Sequence, residues 1–232
     1  MYFEHDAEIW RDFPALVAGV LIADGVNTDV DASSRTDAFT GRAAERLAAG
    51  SESELPEIQA WRRVFAAMGL RPTQYRCAAE SLLRRFRKDG VLPRLHPLVD
   101  VCNAISLAYA VPIAVFDAAR IAGYLRVQYA TGDEKYLTFA GETEQPAPRE
   151  VIFADEAGQA HARRWSNRQS ALSAVRDTTS TALIVAEAFH SSAATDVPAI
   201  LDAIAGELGT LWSIRPPATV LTPDSPRFSF GN

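Results

Sequence analysis

Cysteine and histidine are scarce in this chain: its 232 residues hold two of the first and four of the second. Cys77 and Cys102 have no Cys-x-x-Cys partner, so neither a redox pair nor a thiolate metal site is expected, and a disulfide between them is not favoured. His5, His96, His161 and His190 stand apart in sequence, without a companion at metal-ligand spacing. His96 falls in a loop between Leu95 and Pro97, which suits a structural role. No metal and no cofactor is expected. A Gly-rich phosphate loop and a G-x-S-x-G turn are also missing, which removes the common nucleotide-cradling and serine-hydrolase signatures. No apolar run of about eighteen residues exists, so no membrane-spanning helix is expected. The first residues, Met1-Tyr2-Phe3-Glu4-His5-Asp6-Ala7-Glu8, are acidic and lack the basic and apolar blocks of a secretory leader, which makes the cytoplasm the default location. There is no internal repeat and no low-complexity segment.

What is present is an ordinary globular composition. Hydrophobic residues make up 48% and charged ones 22%, enough apolar material for a core, and the length fits one domain over residues 1–232. The formal net charge of −6 opposes nonspecific nucleic-acid binding by the whole surface. The charge is uneven, however. Between Arg71 and Arg94 stand seven basic residues and two acidic ones, Glu80 and Asp89. Arg76, Arg84, Arg85, Arg87 and Lys88 are the candidates there for contacts with an RNA backbone. The other reading of the same run is a solvated helix face.

Along the chain, residues 6–24 read as a buried strand, because their apolar, partly β-branched run lacks a helical stripe. Residues 34–50 read as a helix with Ser34 or Thr40 as possible caps and Gly50 as a stop. Pro56 opens a second helix over 57–68, ended by Gly69, and a third spans 78–88, closed by Asp89-Gly90. A fourth covers 99–109 behind Pro93 and Pro97. From Pro112 the character changes to short β-type segments at 113–116, 124–130, 135–139, 151–154, 162–165 and 182–186, separated by turn signals. A last helix spans 197–211, and the proline-rich tail after Pro216 reads as irregular. Helices first and strands later indicate α+β.

Several polar residues sit among apolar neighbours. Asn103 lies inside a helical stretch with Val99, Val101, Ile105 and Leu107, where its amide either caps a loop or meets a ligand. Arg126 and Glu134 bracket a turn. An arginine on a strand can fork onto a carboxylate or phosphate, or pair with Glu134 or Asp117 as a structural ion pair. Trp165, Asn167, Arg168 and Gln169 place a flat apolar wall beside hydrogen-bonding groups, a combination that suits an amino acid or a base; core packing is the alternative for the tryptophan. Asp177-Thr178-Thr179 offers hydroxyls before an apolar strand, or simply a cap.

Three segments, taken in order, carry a family resemblance: Leu98-Val99-Asp100-Val101-Cys102-Asn103-Ala104-Ile105-Ser106, Arg126-Val127-Gln128-Tyr129-Ala130-Thr131-Gly132-Asp133-Glu134, and Arg163-Arg164-Trp165-Ser166-Asn167-Arg168-Gln169-Ser170. With Trp61 through Arg85 they resemble the free-standing form of the B3/B4 domain, the editing domain of the phenylalanyl-tRNA synthetase beta subunit, over about residues 61–189. The resemblance implies a β-sandwich core of unusual topology with helices around it. It also implies a trans-acting hydrolase that deacylates mischarged aminoacyl-tRNA, with tRNA and an amino-acid-like small molecule as partners. On that basis Glu134 and Glu187 are the candidate catalytic residues, and Asn103, Arg126, Trp165, Asn167, Arg168, Gln169 and Thr179 the candidate substrate-binding ones. Three departures from the synthetase pattern stand out. Pro112-Ile113-Ala114-Val115-Phe116-Asp117 aligns with its Pro-x-His-Ala-Phe-Asp motif, so Ala114 occupies the histidine's place. Trp165 to Gln169 replaces its glycine-rich segment. Its glutamate falls at Val185, with Glu187 on the same face of a strand. These changes keep open a non-catalytic module that binds an amino acid, a related small molecule or RNA.

Overall fold

The computed structural model describes residues 1–231. Strand β1 (Tyr2–His5) leads through the short helix α1 (Ala7–Asp12) to β2 (Val17–Asp24). Helices α2 (Ser33–Ala49), α3 (Pro56–Ala67), α4 (Ala78–Asp89) and α5 (Pro97–Tyr109) follow. Next come β3 (Ile113–Asp117), β4 (Tyr124–Tyr129), β5 (Tyr136–Leu137), β6 (Thr143–Glu144), β7 (Val151–Asp155), β8 (Ala160–Arg163), β9 (Arg168–Gln169) and β10 (Thr181–Ala188). Helix α6 (Ala193–Trp212) precedes β11 (Ala218–Leu221) and β12 (Arg227–Ser229). The architecture is α+β, as the order of helical and strand signals indicates.

Three layers result. A six-stranded sheet runs β12-β1-β4-β7-β8-β9, and a four-stranded sheet runs β11-β2-β10-β3. Within the first, β1 and β4 are parallel while the other neighbours are antiparallel. Side chains alternate across the four-stranded sheet with the period of two that a pleated strand imposes. Val20, Ile22, Leu183, Val185 and Phe116 face the other sheet, where they meet Phe3, Leu125 and Phe153. Leu21, Ala23, Ile184, Ala186 and Val115 face the opposite way, against Ile105 of α5 and Val197, Ile200 and Ile204 of α6. That double burial explains why β10 is apolar at nearly every position. Gly19 is required where α6 crosses β2: a Cβ there would lie 2.6 Å from Val197 Cγ1 and 3.0 Å from Leu201 Cδ1.

The expected strand over 162–165 ends at Arg163, with Arg164 and Trp165 in a left-handed turn, and the larger differences from the sequence reading lie at both ends of the chain. Only 17–24 of the expected 6–24 strand is extended. Asp6 accepts the Glu8 amide and starts α1, which buries Ile9 and Trp10. The tail is not irregular: β11 pairs with β2, and β12 pairs with β1. These short segments take their conformation from main-chain partners more than 190 residues away in register pairs such as Thr219↔Val20 and Phe3↔Phe228, which no local pattern announces.

The cysteines are free and each is 1% exposed. Cys77 is the N-cap of α4, its sulfur accepting the Glu80 amide at 3.5 Å. Burial pushes both thiols up to about 12. A thiol reagent at pH 8 is therefore expected to modify neither cysteine in the native protein and both after unfolding, a difference that mass spectrometry counts directly. Modification of the folded protein at either position would contradict this packing.

Candidate functional site

The two sheets separate near the start of β3 and leave a cavity of about 70 Å³ between them. Phe116, Phe153, Ala162 and Val185 form its apolar walls, and Ala114 contributes a methyl from β3. Trp165, Asn167, Arg168 and Gln169 cross one side, and Glu187 of β10 supplies a carboxylate. β3 is an edge strand, so the cavity lies beside an unpaired backbone edge.

Glu187 is 4% exposed and tightly held. Its Oε1 lies 2.6 Å from His5 Nε2 and accepts from Trp165 Nε1 at 2.9 Å. A carboxylate only accepts, so His5 Nε2 carries a hydrogen and donates it. Nδ1 of His5 is buried without a partner among the described residues. Oε2 of Glu187 has no hydrogen-bond partner among the described residues, and the cavity lies against this side chain. The arrangement fixes one oxygen and leaves the other for whatever enters.

Trp165 is fully buried, edge-on to Phe13, Trp61 and Phe189 at ring-centroid distances of 5.0, 5.5 and 5.3 Å. It and Arg164 adopt left-handed backbone, with φ of 59° and 46°. Two consecutive non-glycine residues in that region carry strain of order 1–2 kcal/mol each. The turn is held by the Arg164 amide on Glu150 Oε1 at 3.0 Å and the Trp165 amide on the Val151 carbonyl at 2.7 Å. It turns the next residues toward the cavity. Asn167 Nδ2 donates to the Arg76 carbonyl at 2.7 Å, and Gln169 Nε2 donates to the Val115 carbonyl on the β3 edge at 2.7 Å. Arg168 is exposed and makes a long contact of 3.3 Å to Glu144, which leaves most of its donors free. The Ser166 hydroxyl is buried without a partner among the described residues.

Five of the sequence candidates thus share one cavity: Trp165, Asn167, Arg168, Gln169 and Glu187. The others lie elsewhere. Glu134 accepts the amides of Thr131 and Gly132 at 3.0 and 3.1 Å and closes its own turn. Burial favours its neutral form, but these backbone donors outweigh that and hold the carboxyl below its usual value. Arg126 pairs with Glu4 of β1 at 2.7 Å, not with Glu134 or Asp117, and lies 4.6 Å over the Tyr124 ring. Thr179 donates to Asp117 at 2.9 Å and accepts the Arg176 amide at 3.0 Å, the cap-like role. Asn103 lines a neighbouring cavity of about 290 Å³ on the other side of β3.

The basic run of α4 is partly neutralised. Arg84 and Arg87 both reach the buried Glu52, at 3.0 and 2.7 Å, and Arg76 lies 3.4 Å from Glu80. Arg85 faces Asp89 at 3.7 Å across one helical turn, and Lys88 is exposed on the same helix.

Three groups escaped the sequence reading. His5 meets Glu187 across 182 residues, so no local signal could join them. Glu57, His190 and Asp196 bring one ligand atom each within 4.8 Å of one another. Arg46 already bonds both Glu57 oxygens at 2.8 Å and supplies the positive charge that a cation would bring. Finally, His161 lies 2.8 Å from the Ser173 hydroxyl and 3.2 Å from Asp155. Ser173 and His161 are wholly buried, so this set joins the loop before β10 to the six-stranded sheet and reaches no substrate.

Residues 60–197 match the sequence profile of the family described as B3/4 domain. The phenylalanine–tRNA ligase beta subunit of Cereibacter sphaeroides is 32% identical over 94 residues, which cover 40% of this chain and 12% of that protein. The corresponding subunit of Nocardia farcinica is 36% identical over 77 residues, 33% of this chain and 9% of that protein. The matched segment thus spans only 12% and 9% of these relatives. A solved N-terminal fragment of the phenylalanyl-tRNA synthetase beta-subunit from Pyrococcus horikoshii aligns over 87% of this chain and 48% of that one, at 10% identity and a TM-score of 0.41.

Proposed function

The chain belongs to the B3/4 domain family, and from that premise we propose that it hydrolyses, in trans, the ester that joins an amino acid to the 3′ end of a tRNA. The observation that carries the reading is the Glu187 carboxylate, fixed at Oε1 by His5 and Trp165 with Oε2 left for the cavity. An aminoacyl ester is activated, so a positioned water, a proton acceptor and a donor for the oxyanion suffice. Glu187 Oε2 takes a proton from water as its oxygen attacks the ester carbon. The C–O bond to the ribose then breaks, and the same proton passes to the leaving 3′-oxygen. Arg168 at the rim offers its free guanidinium donors to the developing oxyanion.

The amino-acid side chain enters the apolar part of the cavity. At about 70 Å³ this is near half the roughly 150 Å³ that holds a benzene ring. A side chain of a few heavy atoms fits, and an aromatic ring does not. Helix α4 begins at this cavity, its Ala78 amide donating to the Ser166 carbonyl at 2.8 Å. Its twelve residues carry Arg84, Arg85, Arg87 and Lys88 away from the site. At 1.5 Å per residue the helix is roughly 18 Å long, a span suited to contacts with the phosphates behind the charged end.

The test is deacylation of a panel of aminoacyl-tRNAs by the purified protein. Alanyl, seryl or threonyl esters are expected to turn over at least about tenfold faster than tyrosyl or phenylalanyl ones. Arg168→Ala is expected to lower that turnover by about 10²-fold, the usual loss for one oxyanion donor, with the fold intact because the side chain is exposed. Ala114, which brings no titratable group to the cavity, favours a second reading, a binding module. Tight binding of a charged tRNA without any turnover across the panel would replace the first reading by the second.

A further inference from the structure

We propose that the cavity of about 200 Å³ bounded by the start of α2, the end of α4 and the start of α5 binds a free α-amino acid with an aliphatic side chain. None of its lining residues lines the cavity that contains Glu187, so this site stands or falls apart from the hydrolase reading.

Size and lining suit such a molecule. A cavity of roughly 150 Å³ holds a benzene ring, so about 200 Å³ admits roughly eight or nine heavy atoms, the size of valine or leucine. Phe86, Leu92 and Ala104 give it an apolar lining. Val91 stands at the same cavity and is 65% exposed, one of the few large apolar side chains that the fold leaves in solvent. An aliphatic ligand side chain covers it.

Charge decides the class of ligand. Arg94 and Asp37 line the cavity together, and both have unused capacity. Arg94 donates to Ser33 Oγ and lies 3.9 Å from Asp31, with its side chain 74% exposed, so most of its donors are free. The Asp37 carboxylate makes no hydrogen bond or ion pair among the described residues. Ser33, which holds Arg94, lies one turn before Asp37 on the same face of α2, a separation of roughly 5–6 Å. A simple anion gains from Arg94 and is repelled by Asp37, and a simple cation meets the reverse. A zwitterion with both charges on one carbon satisfies the two together.

The surrounding polar groups complete the two ends. Thr36 and Thr40 donate their hydroxyl hydrogens to the Ser33 and Asp37 carbonyls, at 2.8 and 3.1 Å, so toward a ligand these oxygens only accept. Asp100 accepts the Leu95 amide on Oδ1 at 2.9 Å, and its Oδ2 has no partner among the described residues. These acceptors suit an ammonium. Asn103 also lines the cavity and makes no side-chain hydrogen bond among the described residues, which gives the ligand carboxylate a second donor beside Arg94.

The experiment is calorimetric titration of the full chain with L-leucine, with leucinamide, which lacks the carboxylate, and with 4-methylpentanoate, which lacks the ammonium. Leucine is expected to bind at least about tenfold more tightly than either analogue, the scale of one lost charged hydrogen bond. Asp37→Asn is expected to weaken leucine at least about tenfold, without weakening 4-methylpentanoate or changing aminoacyl-tRNA turnover. Arg94→Gln is expected to weaken leucine as much, without weakening leucinamide. Both side chains are exposed, so the unfolding midpoint is expected to hold in each variant. No binding of leucine, equal binding of all three compounds, or full leucine affinity in Asp37→Asn would overturn the proposal. Leucine binding lost in Arg168→Ala and kept in Asp37→Asn would put the amino acid in the ester cavity instead. The expected leucine losses in a protein that cleaves no ester would remove the hydrolase reading and leave this site standing.

Discussion

Replacing Glu187 by glutamine is expected to lower turnover of a cleavable aminoacyl-tRNA by about 10²–10⁴-fold, the range contributed by a positioned general base. The substitution separates structure from chemistry. The glutamine carbonyl can keep both hydrogen bonds now made by Oε1, from Trp165 Nε1 and His5 Nε2. Its amide nitrogen then takes the place of Oε2, where it donates and cannot receive a proton. The cavity keeps its shape, so affinity for the charged tRNA is expected to stay within a few-fold while single-turnover cleavage falls. Hydrolysis at the parent rate would show that Glu187 is not the proton acceptor. Equal losses of binding and rate would point instead to a purely structural carboxylate.

The second large effect is on stability. Trp165→Ala is expected to cost about 3–5 kcal/mol, the range for truncating a buried large aromatic side chain. Trp165 has no exposed surface and stands edge-on to three rings drawn from distant parts of the chain: Phe13, Trp61 and Phe189. Truncation leaves a void among rings that interdigitate, and it removes one of the two donors on Glu187 Oε1. Alanine also pays for the left-handed backbone at this position, so the strain stays, whereas glycine would relieve it. Trp165→Phe keeps one ring and loses the indole donor with part of the ring volume, so a smaller loss of about 1–3 kcal/mol is expected, chiefly from the hydrogen bond to a buried acceptor. Urea denaturation of the two variants measures both. A loss under about 1 kcal/mol for Trp165→Ala would mean that this residue lies outside the central packing.

Much of this protein follows from local pattern. Helical spacing and punctuation place α2 to α5 within one or two residues, because Pro56, Gly69, Gly90 and Pro97 act through backbone geometry that needs no partner. The left-handed Gly90, at φ 72°, is such a stop. Apolar runs mark β3, β4, β7 and β10, since strands buried on one or both faces carry their hydrophobicity in sequence. The segment from Trp165 to Gln169 is also legible, because polar groups set in apolar sequence demand partners, whereas Glu187 came from the family resemblance.

Tertiary structure alone decided the rest. β1, β11 and β12 are strands because neighbours accept their hydrogen bonds, a pairing energy that three or four residues cannot encode. Arg126 and Glu134 looked like site residues on chemical type, yet the first belongs to Glu4 and the second to its own turn. Type specifies what a side chain can bond, and only the fold specifies what lies within reach. The same holds for His5, which contacts the cavity's carboxylate because β1 is inserted between β12 and β4. Sequence thus determined most of the elements and the polar segment from Trp165 to Gln169. Sheet order, which brings together residues far apart in the chain, determined which of those groups meet.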